Sequence, residues 1–222
     1  MDQIESSLIH RVIPPALEKP GPPYPTLVLL HGRGTDENDL LGLAPYFDER
    51  LLFISVRAPH LFSFGGGYAW YEMLQVGSPE PNQFAESYKR LSSFLNDIRK
   101  EYPVDPAKLY LFGFSMGAVM AYAITLTRPD VVSAVVAHSG YVPEDSGLSF
   151  RLGDLDRVSF FIAHGLQDPV IPVSFARRAR EILRGTHARL TYQEYPIGHT
   201  VSEQSVHDIV GWLTQKLDGK EG

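Results

Sequence analysis

Lys108-Leu109-Tyr110-Leu111-Phe112-Gly113-Phe114-Ser115-Met116-Gly117 is the stretch whose reading decides the fold. Its first five residues form a short apolar run suited to a buried strand. Residues 118–126 beyond it read as a helix that begins on small side chains. Gly113 to Gly117 matches G-x-S-x-G, the pattern of a serine on a sharp strand-to-helix turn. Such a turn holds the hydroxyl clear of the sheet, and the flanking glycines let strand and helix approach closely. The helix N-terminus then lies beside the oxygen that becomes negative in acyl transfer. The context predicts Ser115 as a nucleophile.

Outward from this turn, the chain alternates apolar strands with helices. Residues 26–31 and 51–56 are continuous apolar runs, as are 131–137 and 158–163, and all read as strands buried on both faces. Residues 190–195 alternate like a strand near the sheet edge, and 8–13 read as an edge strand. Phe84, Tyr88, Leu91, Leu95, Ile98 and Tyr102 recur at helical spacing. Residues 175–183 read as a helix, and Val206, Ile209, Val210, Leu213 and Leu217 mark a final one. Asp36 is placed to cap a short helix beginning near Leu40. The pattern predicts an α/β fold with a mostly parallel central sheet and helices on both faces. It also predicts one domain over residues 1–222. Residues 1–25 would supply an edge strand and a Pro-rich segment (14–25), and 218–222 a flexible tail.

Bulk properties narrow the function classes. The chain has 222 residues, 44% of them hydrophobic and 21% charged, which is ordinary globular usage with material for a sizeable core. Its net charge of −6 argues against binding nucleic acid or anionic lipid. The absence of cysteine excludes disulfides, a cysteine nucleophile and thiolate metal sites. No signal peptide or apolar span is visible, so a cytoplasmic protein without stable membrane insertion is expected. Monomer and homodimer stay open.

In open parallel sheets, ligands bind outside the carboxyl ends of the strands. Asp168 follows one strand in Ala163-His164-Gly165-Leu166-Gln167-Asp168-Pro169-Val170, and His199 follows the last strand in Tyr195-Pro196-Ile197-Gly198-His199. The order Ser115, Asp168, His199 is that of nucleophile-elbow hydrolases. His199 would take the serine proton and return it to the leaving group, while Asp168 would fix the imidazole tautomer. The oxyanion needs N–H donors, expected from Met116 and from Arg33 in the turn after residue 31. His31 and His164 read as packing groups at strand ends. No His/Asp/Glu grouping has metal-ligand spacing, and serine chemistry needs no metal or cofactor.

Residues 57–81 form a long irregular stretch with Gly65-Gly66-Gly67 and several aromatics. Loops of this length are usually functional or disordered, and the aromatic content argues against disorder. Phe62, Phe64, Trp70 and Tyr71 are expected to wall an acyl site, with His60 bordering it and Val170 facing it. The interval 138–157, where lids commonly enter such folds, holds Pro143, Gly147 and Gly153 and no long amphipathic helix. A large cap domain is therefore not expected.

Together, His31-Gly32-x-Gly34, Ala58-Pro59-His60, Trp70-Tyr71-Glu72, Gly113-Phe114-Ser115-Met116-Gly117, His164-Gly165-x-x-Asp168-Pro169-Val170 and Gly198-His199 resemble the carboxylesterase/phospholipase family of the α/β-hydrolases. That family includes acyl-protein thioesterases and small bacterial carboxylesterases. The resemblance spans residues 25–217. It implies the α/β-hydrolase fold, the triad Ser115, Asp168 and His199, oxyanion donors at Arg33 and Met116, and cofactor-free hydrolysis of carboxylic esters or thioesters. Thioesterase members usually carry Trp-Phe-Asp where this chain has Trp70-Tyr71-Glu72, and the three-glycine run is unusual. Both departures favour a bacterial small-ester hydrolase, and the short wall of residues 57–81 without a cap predicts a preference for short-to-medium acyl chains. A lysophospholipase or acyl-(protein) thioesterase on the same triad is the alternative. A ligand receptor on a hydrolase scaffold is a third reading, disfavoured because a pure binder needs no nucleophile.

Overall fold

The computed structural model describes residues 4, 6–17 and 21–219. The main sheet has seven strands: β1 (His10–Ile13), β2 (Tyr24–Leu30), β3 (Leu52–Val56), β4 (Val104–Phe114), β5 (Ala134–His138), β6 (Ser159–Gly165) and β7 (Arg189–Tyr195). Their spatial order is β1-β3-β2-β4-β5-β6-β7. Only β1 is antiparallel, so both predicted edge strands lie at the edges. The helices are α1 (Pro81–Glu101), α2 (Met116–Thr127), α3 (Val173–Arg184) and α4 (Glu203–Leu217).

Each central strand is apolar throughout because each serves two cores. Val28, Leu30, Leu52, Ile54, Leu109, Leu111, Val135 and Phe160 pack with side chains of α1, α2 and α3. Their neighbours Leu27, Leu29, Phe53, Tyr110, Phe112, Val136 and Phe161 pack with Leu40, Ile209, Trp212 and Leu213 on the opposite face. The period of two along a strand thus splits one hydrophobic run between two layers.

The parallel register aligns the carboxyl ends. Leu30 pairs with Val56 and Gly113, Phe114 with His138, His138 with Ala163, and Gly165 with Tyr195. Hence the segments after β2, β4, β6 and β7 emerge along one edge. The interval between β5 and β6 holds only two short 3₁₀ turns, Glu144–Ser146 and Leu152–Asp154. No cap helix enters there.

Several local expectations are refined or corrected. The short helix expected near Leu40 is present as a 3₁₀ helix over Leu40–Tyr46, because Pro45 inside the segment lacks an N–H for an α ladder. Asp36 does not cap it; its Oδ1 accepts the Asn38 N–H at 2.8 Å and closes a turn instead. The stretch 57–81 is not irregular. His60–Leu61 pairs with Tyr68–Ala69, and Met73–Gln75 pairs with Ser78–Pro79, so it is two short antiparallel ribbons. Of the tail expected to be flexible, residues 220–222 lie outside the described residues. Asp218 is held by Arg50 at 2.9 Å, so the end of α4 is fastened.

The helix α2 crosses β2 so closely that a Cβ on Gly117 would lie 1.9 Å from the Leu30 carbonyl oxygen. Gly117→Ala should therefore cost several kcal/mol, roughly 4 or more. Gly42→Ala, with nothing within 4 Å of the new methyl, should be near neutral. Denaturant unfolding of the two variants checks this; similar midpoints would refute it.

Candidate active site

The site begins with strain at the elbow. Ser115 has φ 54° and ψ −119°, outside the usual regions for an L-residue and worth about 1–3 kcal/mol of strain. Tight packing holds it there. A Cβ on Gly113 would lie 2.4 Å from the Gly117 backbone, and the Ser115 N–H donates to the His138 carbonyl at 2.9 Å. The N–H groups of Ala118 and Val119 donate to the Ser115 carbonyl at 3.0 and 3.2 Å, which leaves those of Met116 and Gly117 without an intrahelical acceptor.

Two further strand ends bring their side chains to this serine. The distance from His199 Nε2 to Ser115 Oγ is 2.9 Å, and from His199 Nδ1 to Asp168 Oδ2 it is 2.7 Å. Asp168 is buried, and its Oδ1 accepts the N–H groups of Val170 at 2.9 Å and Ile171 at 2.8 Å. Burial alone would raise its pKa. The His199 hydrogen bond and the two N–H donors outweigh burial and hold the carboxyl below its ordinary range. This geometry suits a carboxylate that stays ionised while orienting an imidazole.

The predicted oxyanion donors lie in the same place. Arg33 and Met116 line a pocket of about 160 Å³ with Ser115 and His199. The turn carrying Arg33 abuts the serine, since a Cβ on Gly32 would lie 3.4 Å from Ser115 Cβ. His31 braces that turn: its Nδ1–H donates to the Gly32 carbonyl at 2.6 Å and its Nε2 accepts the Ala58 N–H at 3.0 Å. Gly34 N–H donates to the Tyr68 carbonyl at 2.8 Å. Buried Glu37 takes Arg57 in a two-pronged pair at 2.5 and 2.6 Å.

The six expected substrate-contacting residues divide. Tyr71 and Val170 line the pocket of Ser115. His60, Phe62 and Phe64 line an adjoining pocket of about 330 Å³, which also includes Tyr71. Trp70 lines neither pocket. It is fully buried, and its Nε1–H donates to the His31 carbonyl at 3.0 Å, so it is a bracket for the turn after β2 rather than a wall. Alternation explains the swap: adjacent residues leaving a strand face opposite ways, and Tyr71 takes the pocket side.

Sequence reading missed Tyr141 and the bridging role of His138. Tyr141 lines the Ser115 pocket, with its hydroxyl 3.2 Å from that of Tyr71. Burial pushes the Tyr71 phenol well above its usual pKa and raises that of Tyr141, so both remain proton donors. The signal for Tyr141 was its place just beyond the end of β5. His138 is fully buried between the rings of Phe114, at 5.8 Å, and Tyr195, at 6.5 Å. Its Nδ1 is 3.0 Å from Ser139 Oγ and its Nε2 is 3.2 Å from Ser205 Oγ. Ser205 donates to the Ser202 carbonyl, so its oxygen can accept from His138 while it completes the capping box of α4. His138 therefore ties the elbow to the helix that follows the His199 loop.

Among the described residues no helix is long and apolar enough to cross a membrane, and no group of three or more His, Asp or Glu side chains could hold a metal ion.

The model of the phospholipase/carboxylesterase family matches residues 13–217. Among curated relatives, an acyl-protein thioesterase 1 of Candida albicans is 23% identical over 208 residues, covering 84% of this chain and 90% of its own. A putative hydrolase of Bacillus subtilis is 22% identical over 191 residues, covering 86% and 93%. Among solved structures, a Bacillus cereus carboxylesterase superposes with a TM-score of 0.82 at 26% identity, covering 94% of each chain. A carboxylesterase from Mesorhizobium loti shares the fold, with a TM-score of 0.83 at 20% identity over 96% and 97%.

Two predictions follow from the buried groups. Burial lowers the pKa of His10, His31 and His164, and takes that of His138 to about 3. Below about pH 6.5 the unfolded chain binds protons that the folded one refuses, so stability must fall as pH falls through that window. Each histidine contributes up to ~1.4 kcal/mol per pH unit. Unfolding free energies between pH 7 and 4.5 should decline, with a shallower slope in His138→Phe; a flat profile would refute this. Trp70→Ala should cost about 3–5 kcal/mol of stability. It should leave acyl-length preference unmoved, as a panel of esters would show.

Proposed function

The chain belongs to the phospholipase/carboxylesterase family, and from that premise we propose that it is a serine carboxylesterase acting on short-to-medium acyl esters. The observation that carries this reading is the line from Ser115 Oγ through His199 to Asp168, at 2.9 and 2.7 Å. Ser115 Oγ attacks the ester carbonyl carbon while His199 Nε2 takes its proton. The N–H groups of Arg33 and Met116 stabilise the negative oxygen of the tetrahedral intermediate. Asp168 holds Nδ1–H in place and stabilises the imidazolium. Collapse of the intermediate breaks the bond to the alcohol oxygen, which leaves with the proton from His199. Water, deprotonated by the same imidazole, then releases the acid and restores Ser115.

Relatives named acyl-protein thioesterase favour a second reading, hydrolysis of thioesters by the same groups. Matched butyryl oxygen esters and thioesters rank the two.

Ser115→Ala should lower kcat by roughly 10⁴-fold or more while the protein stays folded. Asp168→Asn should be severely impaired, because the amide favours the wrong imidazole tautomer. Adding His199→Ala to Asp168→Asn should cost little beyond the worse single change, since the three groups act as a unit. Normal turnover by folded Ser115→Ala would sink the assignment, and so would wild-type protein that Ser115-directed fluorophosphonates fail to label.

Acyl length gives a second measure. Each methylene buried along Phe62 and Tyr71 gains up to about 0.8 kcal/mol, near fourfold in kcat/KM. Two small adjoining pockets end that gain after a few carbons. p-Nitrophenyl esters should peak at short-to-medium length, with no rate jump above the micelle concentration. A strong preference for palmitoyl over butyryl esters would contradict the proposal.

A further inference from the structure

Arg33 has two ends in different surroundings. Its backbone belongs to the turn against Ser115, while its side chain is exposed. The guanidinium carbon lies 5.1 Å from the centroid of the Phe62 ring, a cation–π contact that holds a long side chain in one place. Phe62 is braced in turn by Phe64, with ring centroids 6.1 Å apart. The ribbon tip behind it packs tightly on the same turn: Gly67 has φ +73°, and a Cβ there would lie 2.4 Å from the Gly34 carbonyl oxygen. Among the described residues no carboxylate pairs with the Arg33 guanidinium, whereas nearby Arg57 is committed to Glu37. A cation held over a ring thus stands at the mouth of the site, in direct ion pair with no carboxylate among the described residues.

It also stands on a boundary. Arg33, Tyr71 and Met73 line both the Ser115 pocket and its larger neighbour. That neighbour adds the rings of Phe62 and Phe64 together with His60 and Gln83. The Gln83 Oε1 accepts the Glu72 N–H at 2.7 Å, which leaves its amide N–H donors uncommitted among the described residues. A plain alkyl chain entering here gains contact with the rings but strips water from a guanidinium and an amide and returns no hydrogen bond, which offsets part of that gain. A short methylene chain ending in a carboxylate lies on the rings and satisfies the donors.

On the esterase reading above, we propose that the larger pocket is a recognition subsite for an acyl chain ending in an ionised carboxylate. Arg33 is its specificity-determining cation, and the substrate class is the half-esters of short dicarboxylic acids. Two carboxylates bear on this choice. Glu72 lines the larger pocket and Asp39 the smaller one, and both are exposed. Water and salt damp their repulsion over a Debye length of about 8 Å, while a contact with Arg33 is screened far less. Their presence disfavours a doubly charged phosphate more than a single carboxylate.

The test compares monomethyl adipate with methyl hexanoate, which has the same four methylenes and a methyl in place of the carboxylate. Acid release is titrated at physiological ionic strength. Wild-type kcat/KM should favour monomethyl adipate by about tenfold or more, as expected for charge-assisted hydrogen bonds. Arg33→Gln should bring the ratio toward one, and Arg33→Lys should retain part of it. Phe62→Leu keeps the charge but removes its shelf and should lower the ratio severalfold, which covers the case of an unfolded Arg33→Gln. A wild-type ratio of one or below, or a ratio unchanged in folded Arg33→Gln, overturns the subsite. If methyl hexanoate is still hydrolysed, the esterase reading survives that result. Failure of wild-type protein to hydrolyse either ester or p-nitrophenyl butyrate overturns the esterase reading and the subsite with it.

Discussion

The contact between the α2 backbone at Gly117 and the carbonyl of Leu30 at the end of β2 is the constraint on which the rest of the site depends. It permits no side chain, so it sets how far α2 can descend onto the sheet. That descent forces the backbone through the strained angles at Ser115. The cost, about 1–3 kcal/mol, is offset by the wholly buried helix behind it, whose residues from Met116 to Leu126 are all buried. The same contact brings the turn after β2 against Ser115, so the serine and that turn are positioned by one packing event. Catalytic geometry here follows from how closely two backbones approach.

Buried neutral histidines form a second layer of support. His31 bridges the oxyanion turn to Ala58, and His138 bridges the elbow region to the cap of α4. The Nε2–H of His164 donates to the Ile171 carbonyl at 2.7 Å and thereby shapes the loop that wraps Asp168. An imidazole suits this work because its neutral form carries one donor and one acceptor on opposite sides of a flat ring. It can therefore link two loops at a strand end where a hydroxyl would reach only one. Such a link holds only while the ring stays uncharged, so integrity of the site and acid stability of the fold rest on the same protonation states.

Legibility in the sequence followed the range of the interactions. The succession of strands, the elbow turn and the strand-end positions of Asp168 and His199 were readable because each is written locally, as a strand pattern followed by a glycine and a polar residue. What Trp70 and Tyr71 do was not readable. Both are aromatic and both are buried, and only the partner across the fold, the His31 carbonyl, separates bracket from wall. The ribbons within residues 57–81 escaped notice because runs of two and three residues are too short to show a period. Asp36 looked like a cap because an acid before an apolar run usually is one, but Pro45 denies that run its α ladder. Locally, His138 shows only as a histidine closing an apolar strand. Its meaning comes from Ser205, 67 positions away.

If the proposed roles hold, substrate recognition and oxyanion stabilisation are not separable modules in this architecture. The loop after β3 supplies the ring under Arg33, the carbonyl that holds Gly34 and the indole that holds His31. In the proposed mechanism, a group bound against Phe62 would press on the same turn that offers the Arg33 N–H to the reacting carbonyl. Binding energy gained in the larger pocket has a short rigid route to the oxyanion donors, through one residue's own backbone. That arrangement lets a remote contact act in the transition state as well as in binding, which is the condition for raising kcat rather than only lowering KM. It also explains why an arginine can sit at this position without an acidic partner. A paired guanidinium would be held by the protein's own carboxylate, and the turn would lose its coupling to what the pocket contains.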